Sequence, residues 1–245
     1  MNSYFSFFIP VSMLPKNTQK TSKESAMRDK TIEIFDNWAE RYDEDVHRAQ
    51  SKGDLLYENY SLILERIVIE VKEELPLGAI IIDIGSGTGN LLFLLSSRGY
   101  YGIGVEPSKN MRKKSKEKYP YLKVVPGDFF CLPFKDKTID GIVSTYAWHH
   151  LNHRGKMKSI KEMKRVLKDE GIILIADLMF QDKMHKKRML KEFKNQRNYE
   201  IIKDIKSEYY GNLKALMHGL GNSGFDCIGE RMNRLVWMLK ARRRI

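Results

Sequence analysis

The sequence predicts an α/β domain built on a doubly wound, mostly parallel sheet of seven strands that ends in a C-terminal antiparallel hairpin. Three observations carry this reading. From Ala79 onward, short β-branched runs alternate with helical apolar stripes, which is the pattern of successive βαβ units. The first run, Ala79-Ile80-Ile81-Ile82, is continuously apolar, as in a strand buried on both faces. The last two strand-like runs, 225–229 and 235–239, are joined by the short polar segment 230–234. That spacing is a hairpin at the sheet edge.

The elements follow in order. Residues 1–26 show no apolar period and include a Ser, Thr and Lys-rich stretch at 16–25. Such a composition buries too little apolar surface to offset its ordering entropy, so a disordered extension is expected there, with the domain at 27–245. Phe35, Trp38, Ala39 and Tyr42 fall on one helical face, and a longer stripe runs from Leu56 to Val71 until Pro76 and Gly78 end it. After the first strand, 91–97 reads as a helix and 101–105 as a strand. Ser108 caps a basic helix that Pro120 stops. Strands are expected at 122–125, 139–144 and 172–176, with a helix along Met157, Ile160, Met163 and Leu167 that Gly171 closes. A long helical connection at 178–211 carries Tyr199, Tyr209 and Tyr210 and suits a lid.

Composition narrows the function classes. The 245 residues, 42% of them hydrophobic, suffice for one globular domain. Cys131 and Cys227 form no C-x-x-C pair, which argues against a disulfide scaffold or a zinc ribbon. No apolar run reaches the roughly 18 residues of a membrane span, and the apolar start at 4–9 lacks the basic flank of a signal peptide. A cytoplasmic protein without a membrane partner is expected. The formal charge of +12 fits a Lys-rich solvated surface, with nucleic acid as the less favoured partner.

The chemistry gathers at strand ends. Asp83-Ile84-Gly85-Ser86-Gly87-Thr88-Gly89-Asn90 lies directly between a buried strand and a helix. Gly85 and Gly87 let the backbone turn sharply and approach a ligand, which then faces a helix N-terminus. Glu106 ends the next strand, about 20 residues on, where a carboxylate can accept both hydroxyls of a ribose. That geometry shows a nucleoside and not which one. Asp128 with Phe129 ends the third strand, a pairing that suits adenine's exocyclic amine and ring face. His149 and His150 follow the fourth strand, at the carboxyl edge where open α/β sheets bind ligands, and are the candidate catalytic bases. No third ligand is spaced to join them, so no metal site is expected.

Taken together, D-x-G-x-G-x-G, E-P-S at 106–108, G-D-F at 127–129 and I-D-G-I-V-S at 139–144 resemble the ordered motifs of class I S-adenosyl-L-methionine (SAM)-dependent methyltransferases. The match spans 79–177. The Trp38–Asp43 segment and the closing hairpin extend it over nearly everything after Met27. The run Ser144-Thr145-Tyr146-Ala147-Trp148-His149-His150-Leu151 is similar to that of YrrT-like bacterial methyltransferases. The resemblance implies a Rossmann-like fold with SAM as cofactor. It implies that Asp83, Gly85, Ser86, Gly87 and Gly89 hold the amino acid end and that Glu106 binds ribose, with Pro107 and Met111 lining the pocket. It places Asp128 and Phe129 around adenine, Tyr146 and Ala147 under the methionine part, and Tyr42 across the opening. Asn90 stands where a dinucleotide fold would carry its third glycine, which disfavours a dehydrogenase. No N-P-P-Y run follows the fourth strand, which argues against adenine N6 methylation, and the expected acceptor is a small molecule. RNA methylation and SAM binding without turnover are the alternatives.

Overall fold

The computed structural model describes residues 23–244. Two helices, α1 (Lys23–Trp38) and α2 (Tyr42–Ser51), precede α3 (Tyr60–Glu74). The sheet region then runs β1 (Ile80–Ile84), α4 (Asn90–Ser97), β2 (Tyr101–Val105), α5 (Lys109–Lys118), β3 (Lys123–Val125), β4 (Ile139–Thr145), α6 (His153–Val166) and β5 (Leu167–Phe180). It closes with α7 (Lys183–Asn195), α8 (Tyr199–Ser207), β6 (Gly211–Asn212), α9 (Leu213–Asn222), β7 (Phe225–Arg231) and β8 (Val236–Arg243). Among the described residues no helix is long and apolar enough to cross a membrane.

The sheet order is β3-β2-β1-β4-β5-β8-β7, parallel through β5, with β8 antiparallel to both β5 and β7. The sheet has eight strands rather than seven, because the two residues of β6 pair in parallel with Met179 and Phe180 at the end of β5. A two-residue strand carries no apolar run, so the sequence pattern could not announce it. The order reverses between β1 and β4, and that switch point opens a crevice at the strands' carboxyl ends.

Strand alternation sends side chains into two cores. Ile81 packs with α3, α4, α7 and α8 on one face, while Ile82 and Ile84 pack with α6 and α9 on the other. Ile81, Ile82 and Ile84 are all fully buried, as their uninterrupted run requires.

Several boundaries differ from the sequence reading. Phe35 to Tyr42 is not one helix: the chain leaves α1 after Trp38 and restarts at Tyr42, where Asp43, Glu44 and Asp45 favour a new N-terminus. The rings of Trp38 and Tyr42 still meet edge-on at 4.8 Å. Asn59, at φ 60°, delays α3 to Tyr60. Leu167 completes the apolar stripe of α6 in sequence, yet it already lies in β5 and pairs with Ile139. At the other end, α1 starts at Lys23, inside the stretch read as an extension, and residues 1–22 lie outside the described residues.

Candidate active site

The crevice at the switch point is a cavity of about 1110 Å³, its solvent mouth included. Gly85 and Gly87 line its floor, with Glu106, Pro107, Ser108 and Met111 from the end of β2 and the start of α5. Asp128, Phe129 and Phe130 follow β3, and Thr145, Tyr146, Ala147, His150 and Leu151 follow β4. Arg28, Thr31, Ile32 and Phe35 of α1 line the remaining side, with Tyr42 at the start of α2. Of the residues read from sequence, Asp83, Ser86, Gly89 and His149 lie behind this surface rather than on it. Among the described residues α1 and the start of α2 cover the cavity, and none of its lining comes from 178–211.

The glycine turn depends on backbone that side chains resist. Gly85 sits at φ 74°, and a Cβ there would lie 2.5 Å from the Cβ of Ala147. Gly87, at φ 52°, has open space where its Cβ would stand. Gly85→Ala is therefore expected to lower the melting temperature by several degrees and weaken ligand binding at least tenfold, through left-handed strain and the clash. Thermal melts with and without ligand check this; a Gly85→Ala protein with wild-type melting and affinity would show that the turn tolerates a side chain.

Glu106 accepts hydrogen bonds from the backbone N–H groups of Gly87 (2.9 Å) and Ser108 (2.8 Å), one on each oxygen. It thereby pins the glycine turn to the end of β2 and keeps lone pairs for a ligand. Burial pushes its pKa up to about 7, with the two backbone bonds opposing. Asp83 is 2% exposed, and burial, then the charge of Glu106, raises its pKa to about 8. Asp83 Oδ1, Ser86 Oγ and Tyr146 OH are buried with no hydrogen-bond partner among the described residues. Unsatisfied polar atoms of this kind carry a desolvation cost that a bound polar ligand removes. Tyr146 also holds a strained φ of 51°, and its ring packs on Tyr57 and Tyr60 at centroid distances of 5.8 and 5.4 Å. Asp128 Oδ1 accepts from the N–H groups of Phe130 and Cys131, and its Oδ2 meets Arg28 Nε at 2.5 Å.

Two acids that the motifs did not single out hold the helical cover. Asp36 of α1 accepts from Ser108 Oγ (2.5 Å) and from Asn110 N (2.9 Å). Asp43 of α2 accepts from Thr88 Oγ1 (2.8 Å), Asn90 Nδ2 (3.1 Å) and Lys118 Nζ (2.9 Å). Asn90 thus serves the cover, which explains why the turn ends in Asn.

The histidines sit on a short 3-10 helix (Trp148–His150) after β4. Asp177, at the carboxyl end of β5, fixes it: Oδ2 accepts from the N–H groups of Trp148 (2.6 Å) and His149 (3.1 Å), and Oδ1 lies 2.6 Å from His149 Nδ1. Burial disfavours a charged His149, but the Asp177 carboxylate outweighs it and holds the pKa above the ordinary value. His150 lines the cavity, and its Nδ1 lies 3.0 Å from Glu208 Oε2. Burial and the neighbouring His149 lower its pKa against the pull of Glu208. The pair therefore splits into an inner, charge-favouring ring and an outer, neutral one. Glu208 follows α8, 58 residues from His150; no local motif links them. Lys156, only 3% exposed, donates to Leu151 O and Tyr209 O and joins the two loops.

A parallel sheet with a glycine turn after β1, acids at the ends of β2 and β3 and an antiparallel C-terminal pair is the fold of class I SAM-dependent methyltransferases. Solved structures agree at the level of fold. A protein from Pyrococcus horikoshii superposes with a TM-score of 0.62 at 17% identity, covering 78% of this chain and 94% of that one. A Haloferax volcanii methyltransferase solved with the Trm112 activator gives 0.63 at 16%, covering 86% and 98%. DhpI, solved with SAH, gives 0.62 at 13%, covering 91% and 99%. The sequence model described as a methyltransferase domain matches residues 82–175. An uncharacterized methyltransferase of Alkaliphilus oremlandii is 34% identical over 85% of this chain and 95% of its own length. Uncharacterized methyltransferase YrrT of Halobacillus halophilus is 28% identical over 86% and 97%. The chain belongs to this class I SAM-dependent methyltransferase family, alongside the YrrT-like bacterial members.

Proposed function

We propose that the protein transfers a methyl group from SAM to a small-molecule acceptor by direct in-line displacement. The observation that carries this is one cavity lined by the Gly85–Gly87 turn, by Glu106 and Asp128 at the next two strand ends and by Tyr146, whose buried hydroxyl has no partner among the described residues. The glycine turn, with Asp83 and Ser86 behind it, would take the amino acid end and Glu106 the ribose hydroxyls. Phe129 and Asp128 would take adenine, with Arg28 releasing Asp128 Oδ2 to the exocyclic amine. Bound SAM supplies a methyl already activated on a sulfonium, so the protein's work is placement and exclusion of water. Ala147 and Tyr146 hold the donor from below, while Ile32 and Phe35 of α1 close over it.

The acceptor enters along Phe35, Phe130, His150 and Leu151. His150 faces that space and, with Nδ1 turned to Glu208, can receive a proton at its other nitrogen. His149 and Asp177 hold it in place. The recessed, largely apolar wall favours a small acceptor over RNA. So does the use of the basic α5: Lys114 pairs with Glu40, Lys118 with Asp43, and Arg112 donates to the carbonyls of Glu106 and Pro107. Those cations are committed within the fold rather than aligned for phosphates.

Calorimetry tests the donor assignment. SAM and its demethylated product should bind with micromolar-scale affinity, and NAD should not; binding of NAD without SAM would end the reading. A screen of metabolite extracts with labelled SAM then separates methyl transfer from binding alone.

A further inference from the structure

We propose that His149, His150 and Glu208 form a binding site for one divalent transition-metal ion on the acceptor side of the cavity. The site stands on its own residues; only its placement on the acceptor side rests on the donor reading above. One donor atom from each of the three residues lies within 4.8 Å of the other two. His150 Nδ1 and Glu208 Oε2 are 3.0 Å apart. Two ligands each about 2.1 Å from a common ion lie roughly 3.0 Å apart at a right angle and roughly 3.4 Å apart at a tetrahedral angle. The outer pair is therefore already at ligand spacing, and the third donor needs only a small approach.

The surroundings of His149 are those of a ligand. Its Nδ1 is held by the buried Asp177 carboxylate at 2.6 Å, which leaves Nε2 as its donor. A carboxylate on the far nitrogen fixes the tautomer and orientation of a metal-binding imidazole and raises its basicity. The ring is fixed further from both sides of the chain: its backbone N–H donates to Asp177, and its carbonyl accepts from Tyr209 N at 3.0 Å. That second bond also brings Glu208, the preceding residue, to the pair. The side chains are 9% exposed at His149, 20% at His150 and 30% at Glu208, so an ion is partly shielded yet reached through His150 from the cavity. Two carboxylates, Asp177 and Glu208, face one ammonium, Lys156, whose protons go to Leu151 O and Tyr209 O. With both imidazoles neutral, as ligation requires, the two carboxylates exceed the one ammonium, and that balance suits a dication. Two imidazoles and one carboxylate favour zinc, cobalt, iron, nickel or manganese over magnesium or calcium.

Ion binding and proton acceptance are alternative uses of His150. A bound ion replaces the proton between His150 and Glu208, and the ring then no longer serves as a base. An acceptor reaching the loaded site through oxygen or sulfur would meet a Lewis acid instead.

The test uses the full chain stripped with a chelator and titrated with Co²⁺, followed by its visible absorption, and with Zn²⁺ by calorimetry. The expected result is one ion per chain at micromolar-scale affinity. Glu208→Gln and His150→Asn should each weaken Co²⁺ at least tenfold. The melting temperature, measured on the same samples in chelator, should stay within a few degrees and certifies that the variants are folded. No stoichiometric Co²⁺ uptake, or equal uptake by the wild type and both variants, overturns the site. Co²⁺ binding as expected in a protein that does not bind SAM supports the metal site and removes the donor reading alone.

Discussion

SAM affinity should rise by at least about 10²-fold between pH 5.5 and 7.5. Burial and the charge of Glu106 raise the pKa of Asp83 to about 8, and burial raises Glu106 to about 7. Below pH 7 the ligand-free protein therefore holds protons on carboxyls that the proposed donor needs ionised. Asp83 would face a cationic amino acid end, and Glu106 would accept from ribose hydroxyls. Binding must expel those protons, so affinity climbs as pH approaches the raised pKa values and levels off above them; Asp83 alone gives about 10²-fold over two pH units. The ligand-free protein should respond in the opposite sense. A carboxyl whose folded pKa lies above its unfolded value binds more protons when folded, so its stabilising contribution is complete at low pH. That contribution is lost as pH rises through 7 to 8. Calorimetry in two buffers of different ionisation enthalpy reads the proton release directly. A flat affinity with no proton release would show that neither acid is coupled to the donor, and Asp83→Asn should remove most of the slope.

The parts legible in the sequence are those whose cause is local. The β1 run of four apolar residues could only be a doubly buried strand, and Ser108 caps α5 through a 3.0 Å bond from Met111 N, as its position before a helical stretch implies. The glycine turn, Glu106, Asp128 and Phe129 were legible because each stands at a strand end in a fixed order. They meet in one cavity because the sheet's switch point brings those ends together. What escaped the sequence is non-local. Asp36 and Asp43 hold α1 and α2 to the glycine turn and α5 across 45 to 75 positions of chain. Glu208 meets His150 only because β6 and the Tyr209 backbone return the α8 loop to the sheet. The separation of His149 from His150 was equally hidden. Adjacent residues in a 3-10 turn face different ways, and only Asp177, from the next strand, determines which ring is inner. The long connection forms α7 and α8, which bury Met189, Phe193, Ile201 and Ile205 in the core beside α3. Its apolar face is spent there, which leaves α1 as the cover.

His150→Asn should lower turnover by at least 10²-fold while leaving SAM affinity within about twofold. The ring lines the cavity, is held near neutrality by burial and by His149, and turns Nδ1 toward Glu208, so its remaining nitrogen is a base directed at the acceptor. Positioned bases contribute roughly 10² to 10⁴ in rate when the nucleophile must lose a proton. Asn keeps a comparable size and a hydrogen bond to Glu208 but cannot accept a proton, which isolates the chemistry from the packing. His149→Ala should act differently: it strands Asp177 as an unpaired buried carboxylate, so it lowers the melting temperature together with turnover. The assay uses the acceptor found in the labelled-methyl screen, in chelator, so that no ion stands in for the base. The rate should follow a group of depressed pKa in wild type, and that pH dependence should vanish in His150→Asn. Equal turnover in His150→Asn would mean that the acceptor arrives without a proton to lose, and His150 would then be wall rather than base.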